Sequence, residues 1–406
     1  MREDYEYQEY LRRKRNKKRA LARKKRRRRI ILFSLEIAIL LVLIIGVFVY
    51  AKVNSSLRKL GTAPEVTSQT QEVYNPDKDV DNVIVNQEAA VDKVMSGYTN
   101  ILLLGIDARD YDDPDYCNSD TMIICSINND NGEVRLLSVY RDTMLNTNPA
   151  EPKYTKANDA YCQGSITQCL SMINTNLDLS ITDYLIVDFK ALATMVDDIG
   201  GITIDLSQEE AVHVNNYSQE TSAVTGMAFD PLPEVAGTYT LNGVQAVSYS
   251  RIRYTAGQDM KRAQRQRLVI MKIIEKVRQS GIAGVEAVIN DVFPLCRTNL
   301  SNAMIIKMAR QMIGYYDIVD TAGFPFVFRE ESQYVNPELM VPITLAQNVT
   351  QLHQFLFQDM NYSPSGTVWE YSDYIAEASG FDESAAVGAQ ISDETELAAS
   401  EADTIR

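Results

Sequence analysis

The sequence predicts an α/β fold, in which helices flank a mixed central β-sheet, together with an N-terminal transmembrane helix. From residue 98 onward, apolar strand-like runs alternate with amphipathic helical patterns, which is typical of a layered α/β domain. A strong turn sequence at 128–132 joins two of these runs as a hairpin, so the sheet must contain antiparallel neighbours. A nearly unbroken apolar run at 30–51 is long enough to cross a bilayer.

The charge pattern predicts the orientation of this span. Residues 1–29 contain 15 Lys and Arg against 4 Asp and Glu, a net charge of +11, whereas the whole chain carries −14. Basic residues flank membrane spans on the cytoplasmic side, so residues 1–29 are predicted to be a cytoplasmic tail and the bulk of the chain to lie outside a single-pass cell-membrane anchor. A cleaved signal peptide fits less well, since no small-residue cleavage site clearly follows the run. The tail suits contact with anionic lipid better than nucleic acid, which we do not expect as a partner.

Composition divides the exported part into three segments. Residues 52–96 are polar and acidic and are predicted to form a stalk. Residues 97–365 are predicted to form the folded domain. Residues 366–406 are predicted to be a disordered acidic tail, because ten acidic residues follow Trp369 against Arg406 alone.

The elements of the folded domain follow from local periodicity. Strands are predicted at 101–106, 121–127, 134–139, 184–187 and 202–206, and helices at 165–177, 189–199, 264–278 and 302–313. The segment 246–254 is predicted to be extended. Residues 207–237 lack clear periodicity and are predicted to be a loop region over the site.

Cysteine and histidine usage limits the chemistry. The five cysteines could form disulfides outside the cell with one left over, and their pairing stays open: Cys117, Cys125, Cys162, Cys169 and Cys296. There is no Cys-x-x-Cys pair, and the only histidines are His213 and His353. These residues leave little material for a zinc ribbon or a Ser-His-Asp hydrolase.

An arginine cluster at 251–267 is the strongest candidate site. Arg251 and Arg253 are two apart in the predicted extended segment and therefore share a face. Asp259, Arg262 and Gln266 follow at helical spacing on one stripe. Guanidinium groups match phosphate oxygens bidentately, so this cluster predicts a bound polyanion; a solvated helix face is the alternative.

Carboxylates and further cations precede the cluster. Asp107 and Asp120 lie where two adjacent predicted strands meet one edge of the sheet, and two carboxylates without histidine suit Mg²⁺ or Mn²⁺. Turn or capping roles for these aspartates remain the alternative. Arg141 follows the third predicted strand and could join the arginine cluster; a structural pair with Asp142 or another carboxylate is the alternative. Lys156 precedes a predicted helix.

Five motifs occur in order: Gly-x-Asp-x-Arg, Ser-Asp-Thr-Met, Arg-Asp-Thr, Lys-x-Asn-x-Ala-Tyr, and Arg-x-Arg followed by Asp-x-x-Arg-x-x-Arg-Gln. Together they resemble the LytR-CpsA-Psr family over residues 98–278, and more weakly to 362. The basic tail, single span and outer domain also match that family's layout. The resemblance implies an extracytoplasmic phosphotransferase of Gram-positive envelopes. Such an enzyme moves a glycopolymer, such as teichoic acid or capsule, from a polyprenyl-pyrophosphate carrier to peptidoglycan.

The resemblance also implies roles for the candidate residues. Asp107 and Asp120 would hold Mg²⁺ on the pyrophosphate, and an apolar tunnel between sheet and helices would hold the polyprenyl chain. Asp259 would tether the arginines or help to activate the acceptor sugar hydroxyl. The implied catalytic residues are Asp107, Asp120, Arg141, Asp259 and Arg262. The implied pyrophosphate and head-group residues are Arg109, Arg141, Lys156, Arg251, Arg253, Arg262 and Gln266.

This chain departs from the family pattern at a few positions. Asn118 stands where many relatives have arginine, and Tyr140 where proline is common. These differences bear on the choice of acceptor or polymer more than on the reaction. Two other functions remain open: a polyprenyl-pyrophosphate pyrophosphatase using the same site, and a non-catalytic envelope regulator or transcriptional attenuator acting through the basic tail. The presence of Asp107, Asp120, Arg141 and Asp259 favours an active enzyme.

Overall fold

The computed structural model describes residues 80, 82–106, 119–253, 258–312, 314 and 317–392. The predicted cytoplasmic tail, the predicted span and most of the predicted stalk lie outside these ranges. Within them, no helix combines the length and apolar character that a bilayer crossing requires. Asp107, Arg109 and Cys117 also lie outside the described residues.

A mixed β-sheet forms the centre of the domain, as predicted. In the described ranges it contains six strands: β1 Tyr98–Ile106, β2 Ser119–Asn128, β3 Glu133–Val139, β6 Asp183–Val187, β9 Arg297–Thr298 and β10 Asp317–Phe324. Their spatial order is β10-β3-β2-β1-β6-β9. The strand β1 pairs antiparallel with β2 and parallel with β6. The predicted hairpin joins β2 to β3, with Asn128 Oδ1 accepting from the Asp130 amide at 2.9 Å and Gly132 at a φ of 77°.

Helices cover both faces of this sheet. Because side chains alternate along a strand, Leu102 and Leu104 of β1 face the main core, whereas Leu103 faces the other side. Helices α1 Asp159–Leu177, α7 Leu345–Phe357 and α8 Gly366–Ser379 pack on the first face. Helices α5 Gln258–Ala287 and α6 Asn302–Met312 lie over the second, and α5 is kinked at Gly281. The predicted flanking of a mixed sheet by helices is therefore confirmed.

A smaller core lies beside the second face. It combines helices α2 Phe189–Asp198, α3 Gln208–Thr225 and α4 Gly243–Ser250 with the hairpin of β7 Ile202–Leu206 and β8 Gly237–Leu241. The remaining short strands are β4 Met144–Asn146, β5 Tyr154–Lys156, β11 Val327–Arg329, β12 Val341–Pro342 and β13 Gln390–Ile391.

Two predictions fail in this smaller core. The predicted loop at 207–237 contains helix α3, which begins at a capping box between Ser207 and Glu210. The predicted extended segment at 246–254 instead begins inside helix α4. All eight residues of α4 are buried, so its apolar pattern has no polar face to reveal the helical period.

The predicted disordered tail begins too early. Helix α8 buries Val368, Tyr371 and Ile375 at helical spacing, while its acidic residues face solvent. The excess of acidic residues indicated disorder, although the apolar residues among them follow the period of an amphipathic helix. The prediction is wrong for residues 366–392, and residues 393–406 lie outside the described ranges. The four described cysteines are free thiols, and a kink at Gly164 and Ser165 separates Cys162 from Cys169.

Candidate active site

Five charged side chains form a continuous network at one edge of the sheet. Asp120 Oδ1 lies 2.8 Å from Arg141 Nη1 and 3.5 Å from Arg253 Nη2. Asp259 Oδ1 lies 3.5 Å from Arg253 Nε and 3.0 Å from Arg262 Nη2. The positive and negative groups therefore alternate, and the two aspartates hold three guanidinium groups in one place.

Separate elements bring these residues together. Asp120 is the second residue of β2, Arg141 follows the end of β3, and Arg253 follows helix α4. Asp259 and Arg262 lie three apart at the start of α5, where side chains share one face. Gly105 allows β1 to lie close to β2 here, because a Cβ at this position would be only 2.9 Å from the Thr121 Cβ.

Lys156 joins the network through Asp142. Its Nζ lies 2.9 Å from Asp142 Oδ1 and 2.8 Å from Glu338 Oε2, while Arg141 Nε lies 3.4 Å from Asp142 Oδ2. Burial alone would raise the pKa of Asp142, but the hydrogen bond from Lys156 and the charge of Arg141 outweigh it and lower that pKa. Asp142 is thus an ionised carboxylate that links Arg141 to Lys156.

Arg262 is the most enclosed guanidinium of the network, with 5% of its side chain exposed. Burial lowers its pKa to about 10, although the charge of Asp259 opposes that change. The group therefore stays protonated at neutral pH. One helical turn further along α5, Gln266 also lines the cavity described below.

Arg251 occupies a separate position beside helix α3. Its Nη2 lies 2.9 Å from Glu220 Oε2, and its Nη1 donates to Thr221 Oγ1 at 3.0 Å. The guanidinium carbon also lies 4.6 Å from the centre of the Phe189 ring and 5.4 Å from that of Tyr217. These distances are those of cation–π contacts, so Arg251 is held from several sides.

A large apolar cavity extends from these charged groups between the sheet and helix α5. Its volume is about 1010 Å³. Charged and polar residues line the cavity near the end of β1: Asp120, Arg141, Glu220, Arg251, Arg253, Arg262 and Gln266. Farther along, its lining is apolar: Ile101, Leu103, Ile123, Leu136, Leu185, Leu192, Val269, Ile270, Ile273, Ile274, Val277 and Met308. The lining part of α5 from 262 to 277 spans about 22 Å at the usual helical rise.

The family of the chain follows from a comparison with known protein families. The model of the LytR_cpsA_psr family matches residues 61–344, most of the chain. The chain belongs to this family. The sequence resemblance is therefore confirmed, and the match includes every element that contributes to the charged network.

Individual relatives agree with that assignment. A polyisoprenyl-teichoic acid–peptidoglycan teichoic acid transferase, TagU of Enterococcus faecalis, is 30% identical over 212 residues, covering 52% of this chain and 64% of that protein. The chain thus spans just under two thirds of that relative's length. TagU of Bacillus cereus is 27% identical over 278 residues, 68% of this chain and 80% of that protein. A solved structure from Streptococcus agalactiae has a TM-score of 0.55 at 20% identity, over 71% of this chain and 98% of that one. This structure shares the fold.

Most site residues predicted from the family motifs converge in the structure. Asp120, Arg141, Arg253, Asp259 and Arg262 form the network, Gln266 adjoins it, and Lys156 reaches it through Asp142 but does not line the cavity. Arg251 is the exception, because it pairs with Glu220 instead of the two aspartates. Asp107 and Arg109 lie outside the described residues.

Sequence reasoning missed the residues that α3 contributes. Tyr217 and Glu220 line the cavity three residues apart on one face of α3. The capping-box sequence Ser207-x-x-Glu210 was the available signal for this helix. In the described ranges, no group of three or more His, Cys, Asp or Glu side chains is placed to hold a metal ion.

Proposed function

We propose that this protein transfers a glycopolymer from a polyprenyl-pyrophosphate carrier to peptidoglycan, forming a phosphodiester bond on the outer side of the cell membrane. A single-pass anchor at 30–51 would keep the enzyme near its lipid substrate. The observation that carries the proposal is a cluster of guanidinium groups at one end of a large apolar cavity. The names of the TagU relatives, teichoic acid transferases, support it.

The two parts of the cavity suit the two parts of such a lipid. Its volume of about 1010 Å³ lies at the upper end of the usual range for small-molecule pockets, so a larger ligand fits. The aliphatic lining favours a long apolar chain, since burying apolar surface is favourable. The guanidinium groups at the other end favour phosphate oxygens. A lipid diphosphate satisfies both parts at once.

The charge balance of the site supports a divalent cation. Among the described residues, each cation at the polar end is already paired with a carboxylate, as in the pairs of Arg141 with Asp120 and Arg251 with Glu220. A diphosphate would add further negative charge, which Mg²⁺ or Mn²⁺ could balance. Asp120 fits this role, because it lines the cavity, its side chain is 28% exposed, and it contacts Arg141 and Arg253 through Oδ1. Asp120 and Asp107 would hold the ion, which would neutralise charge on the phosphates when bound.

The chain's own residues supply positioning and electrostatic stabilisation. Arg141, Arg253 and Arg262 would bind the phosphate oxygens, and Asp120 and Asp259 hold them ready, so little reorganisation is needed. Burial of Arg262 strengthens its attraction to a phosphate, because the local dielectric is low. Phosphoryl transfer needs such positioning more than a protein nucleophile. We therefore assign Asp259 first to tethering the two arginines.

The reaction needs no separate energy source. A hydroxyl of the acceptor sugar attacks the phosphorus that carries the glycopolymer, and a new phosphorus–oxygen bond forms. The pyrophosphate bond to the carrier breaks, polyprenyl phosphate leaves, and the hydroxyl proton passes to solvent or a nearby carboxylate. The substrate's own pyrophosphate bond provides the driving force, which suits a site outside the cell.

The test is transfer from a synthetic polyprenyl-pyrophosphate donor to peptidoglycan oligomers. Arg141→Ala and Asp120→Ala should each lower the rate by about a hundredfold or more, as expected when a group that stabilises transition-state charge is removed. Lys272→Ala is the matched control, since Lys272 lies on α5, pairs with Glu275 and does not line the cavity. Full activity of either site variant would refute the assignment.

The same assay separates the two alternatives. A pyrophosphatase would release polyprenyl phosphate at the same rate without acceptor, whereas a transferase requires the acceptor. A regulator acting through its basic tail would lose its cellular function when residues 2–20 are deleted and the predicted span is kept. The transferase should retain its activity after that deletion.

A further inference from the structure

Helix α3 brings a second, chemically different group of side chains to the polar end of the cavity. Tyr217 and Glu220 of α3, Phe189 of α2 and Arg251 after α4 all line the cavity there. They lie beside the ends of β1 and β6, which run parallel and so finish at the same edge of the sheet. This group therefore adjoins the charged network, of which Arg141 and Arg262 line the same cavity.

Buried hydroxyl groups fix the position of Arg251. Ser218 Oγ donates to Ser248 Oγ at 3.1 Å, and Ser248 Oγ lies 3.0 Å from Thr221 Oγ1, which accepts from Arg251 Nη1 at 3.0 Å. Only 12% of the Arg251 side chain is exposed. Arg251 is therefore held in place and acts as a fixed support for the carboxylate of Glu220. Ordering these side chains in advance reduces the entropic cost of binding a ligand.

Glu220 itself remains accessible from the cavity. Its Oε2 lies 2.9 Å from Arg251, yet 45% of its side chain is exposed, and the residue lines the cavity. A carboxylate in this place repels phosphate but accepts hydrogen bonds from hydroxyl groups. The rings of Phe189 and Tyr217, which lie against Arg251, provide apolar surface in the same part of the cavity. Oriented carboxylate and aromatic surface together suit a neutral, hydroxyl-rich ring.

We infer that Glu220, supported by Arg251 and flanked by Tyr217 and Phe189, forms a sugar-binding subsite beside the phosphate-binding arginines. This inference rests on the proposed function and specifies which part of the substrate each half of the polar end recognises. The phosphates bind to Arg141, Arg253 and Arg262, and a sugar ring binds to Glu220. That ring belongs either to the glycopolymer next to the pyrophosphate or to the peptidoglycan acceptor, since both present hydroxyl groups.

The test compares two lipids on Glu220→Ala and Glu220→Gln variants of the full chain. One lipid is polyprenyl pyrophosphate carrying a single sugar, and the other is polyprenyl pyrophosphate without a sugar. Loss of a charge-assisted hydrogen bond should weaken binding of the sugar-bearing lipid by about tenfold or more in Glu220→Ala. Binding of the sugar-free lipid should stay within about twofold, and Glu220→Gln should recover part of the loss. Glu209→Ala, on an exposed position of α3, should match wild type with both lipids.

Each outcome has a distinct meaning. Weaker binding of the sugar-bearing lipid alone assigns the subsite to the donor, and a raised KM for peptidoglycan oligomers with unchanged donor binding assigns it to the acceptor. Equal losses for both lipids would show that Glu220 acts only by holding Arg251, and would overturn the inference. Unchanged donor binding and acceptor KM would overturn it as well. If wild type binds neither lipid, the proposed function itself fails.

Discussion

Asp142 is buried and links Lys156 to the charged network. Lys156 and Arg141 contact its two carboxylate oxygens at 2.9 and 3.4 Å. Arg141 in turn holds Asp120, so the orientation of this arginine, which we propose binds phosphate, depends on a residue that does not line the cavity. We regard Asp142 as a positioning residue. The pH dependence of the protein's stability distinguishes this role from simple packing.

The sign of that pH dependence follows from the lowered pKa of Asp142. A carboxylate with a lowered pKa stabilises the folded state above its ordinary pKa of 3.8, and this contribution is lost as the pH falls through the folded-state value. Wild type should therefore lose more stability than Asp142→Asn between pH 5 and pH 3. Urea unfolding at a series of pH values measures this difference. Parallel stability curves for the two proteins would contradict the assignment.

Helix α8 is an ordered element in a segment whose acidic composition predicted disorder. It lies beyond the family match, which ends at residue 344. It is fastened to the domain by Ser365, whose amide and hydroxyl each donate to Asp178 at 2.7 Å. Its buried side chains join the core that also contains the first face of the sheet. Helix α8 is therefore an integral part of the fold.

A truncation experiment tests this role of α8. A chain that ends at Pro364 loses the contacts with Asp178 and the burial of Val368, Tyr371 and Ile375. Its free energy of unfolding should fall by more than about 3 kcal/mol, because each such side chain contributes roughly 1.5–3 kcal/mol on burial. A chain that ends at Ser392 is the control and should match wild type in thermal unfolding. Equal stability of both truncated chains would contradict the account.

A clear periodic pattern made the strand β7 predictable from the sequence, whereas helix α4 shows no such pattern. The strand β7 was predicted at its observed bounds, because apolar and exposed residues alternate along it. Helix α4 is buried on every side, so neither helical nor strand periodicity shows in its residues. The candidate site was predicted from motif order, which is insensitive to these errors. The contribution of α3 could not follow, because no motif included Tyr217 or Glu220.

The molecule as a whole combines a charged site with an apolar cavity in one domain. Asp120 and Arg141 lie at one end of that cavity, and side chains such as Ile270 line its length. The charged end alone would suit many phosphate compounds, and the apolar part alone would suit many lipids. Their continuity is what restricts the proposed substrate to a lipid that carries phosphate groups.

The most direct measurement is the identity of the lipid that remains bound when the full chain is purified from the cells that produce it. Mass spectrometry of the extracted lipid should show a polyprenyl phosphate or pyrophosphate, with or without sugars, at close to one per protein. Ile270→Trp should lose this lipid by filling the cavity, whereas Lys272→Trp, at a half-exposed position of the same helix that does not line the cavity, should keep it. Recovery of only ordinary membrane lipids, or equal polyprenyl content in both variants, would contradict the central claim.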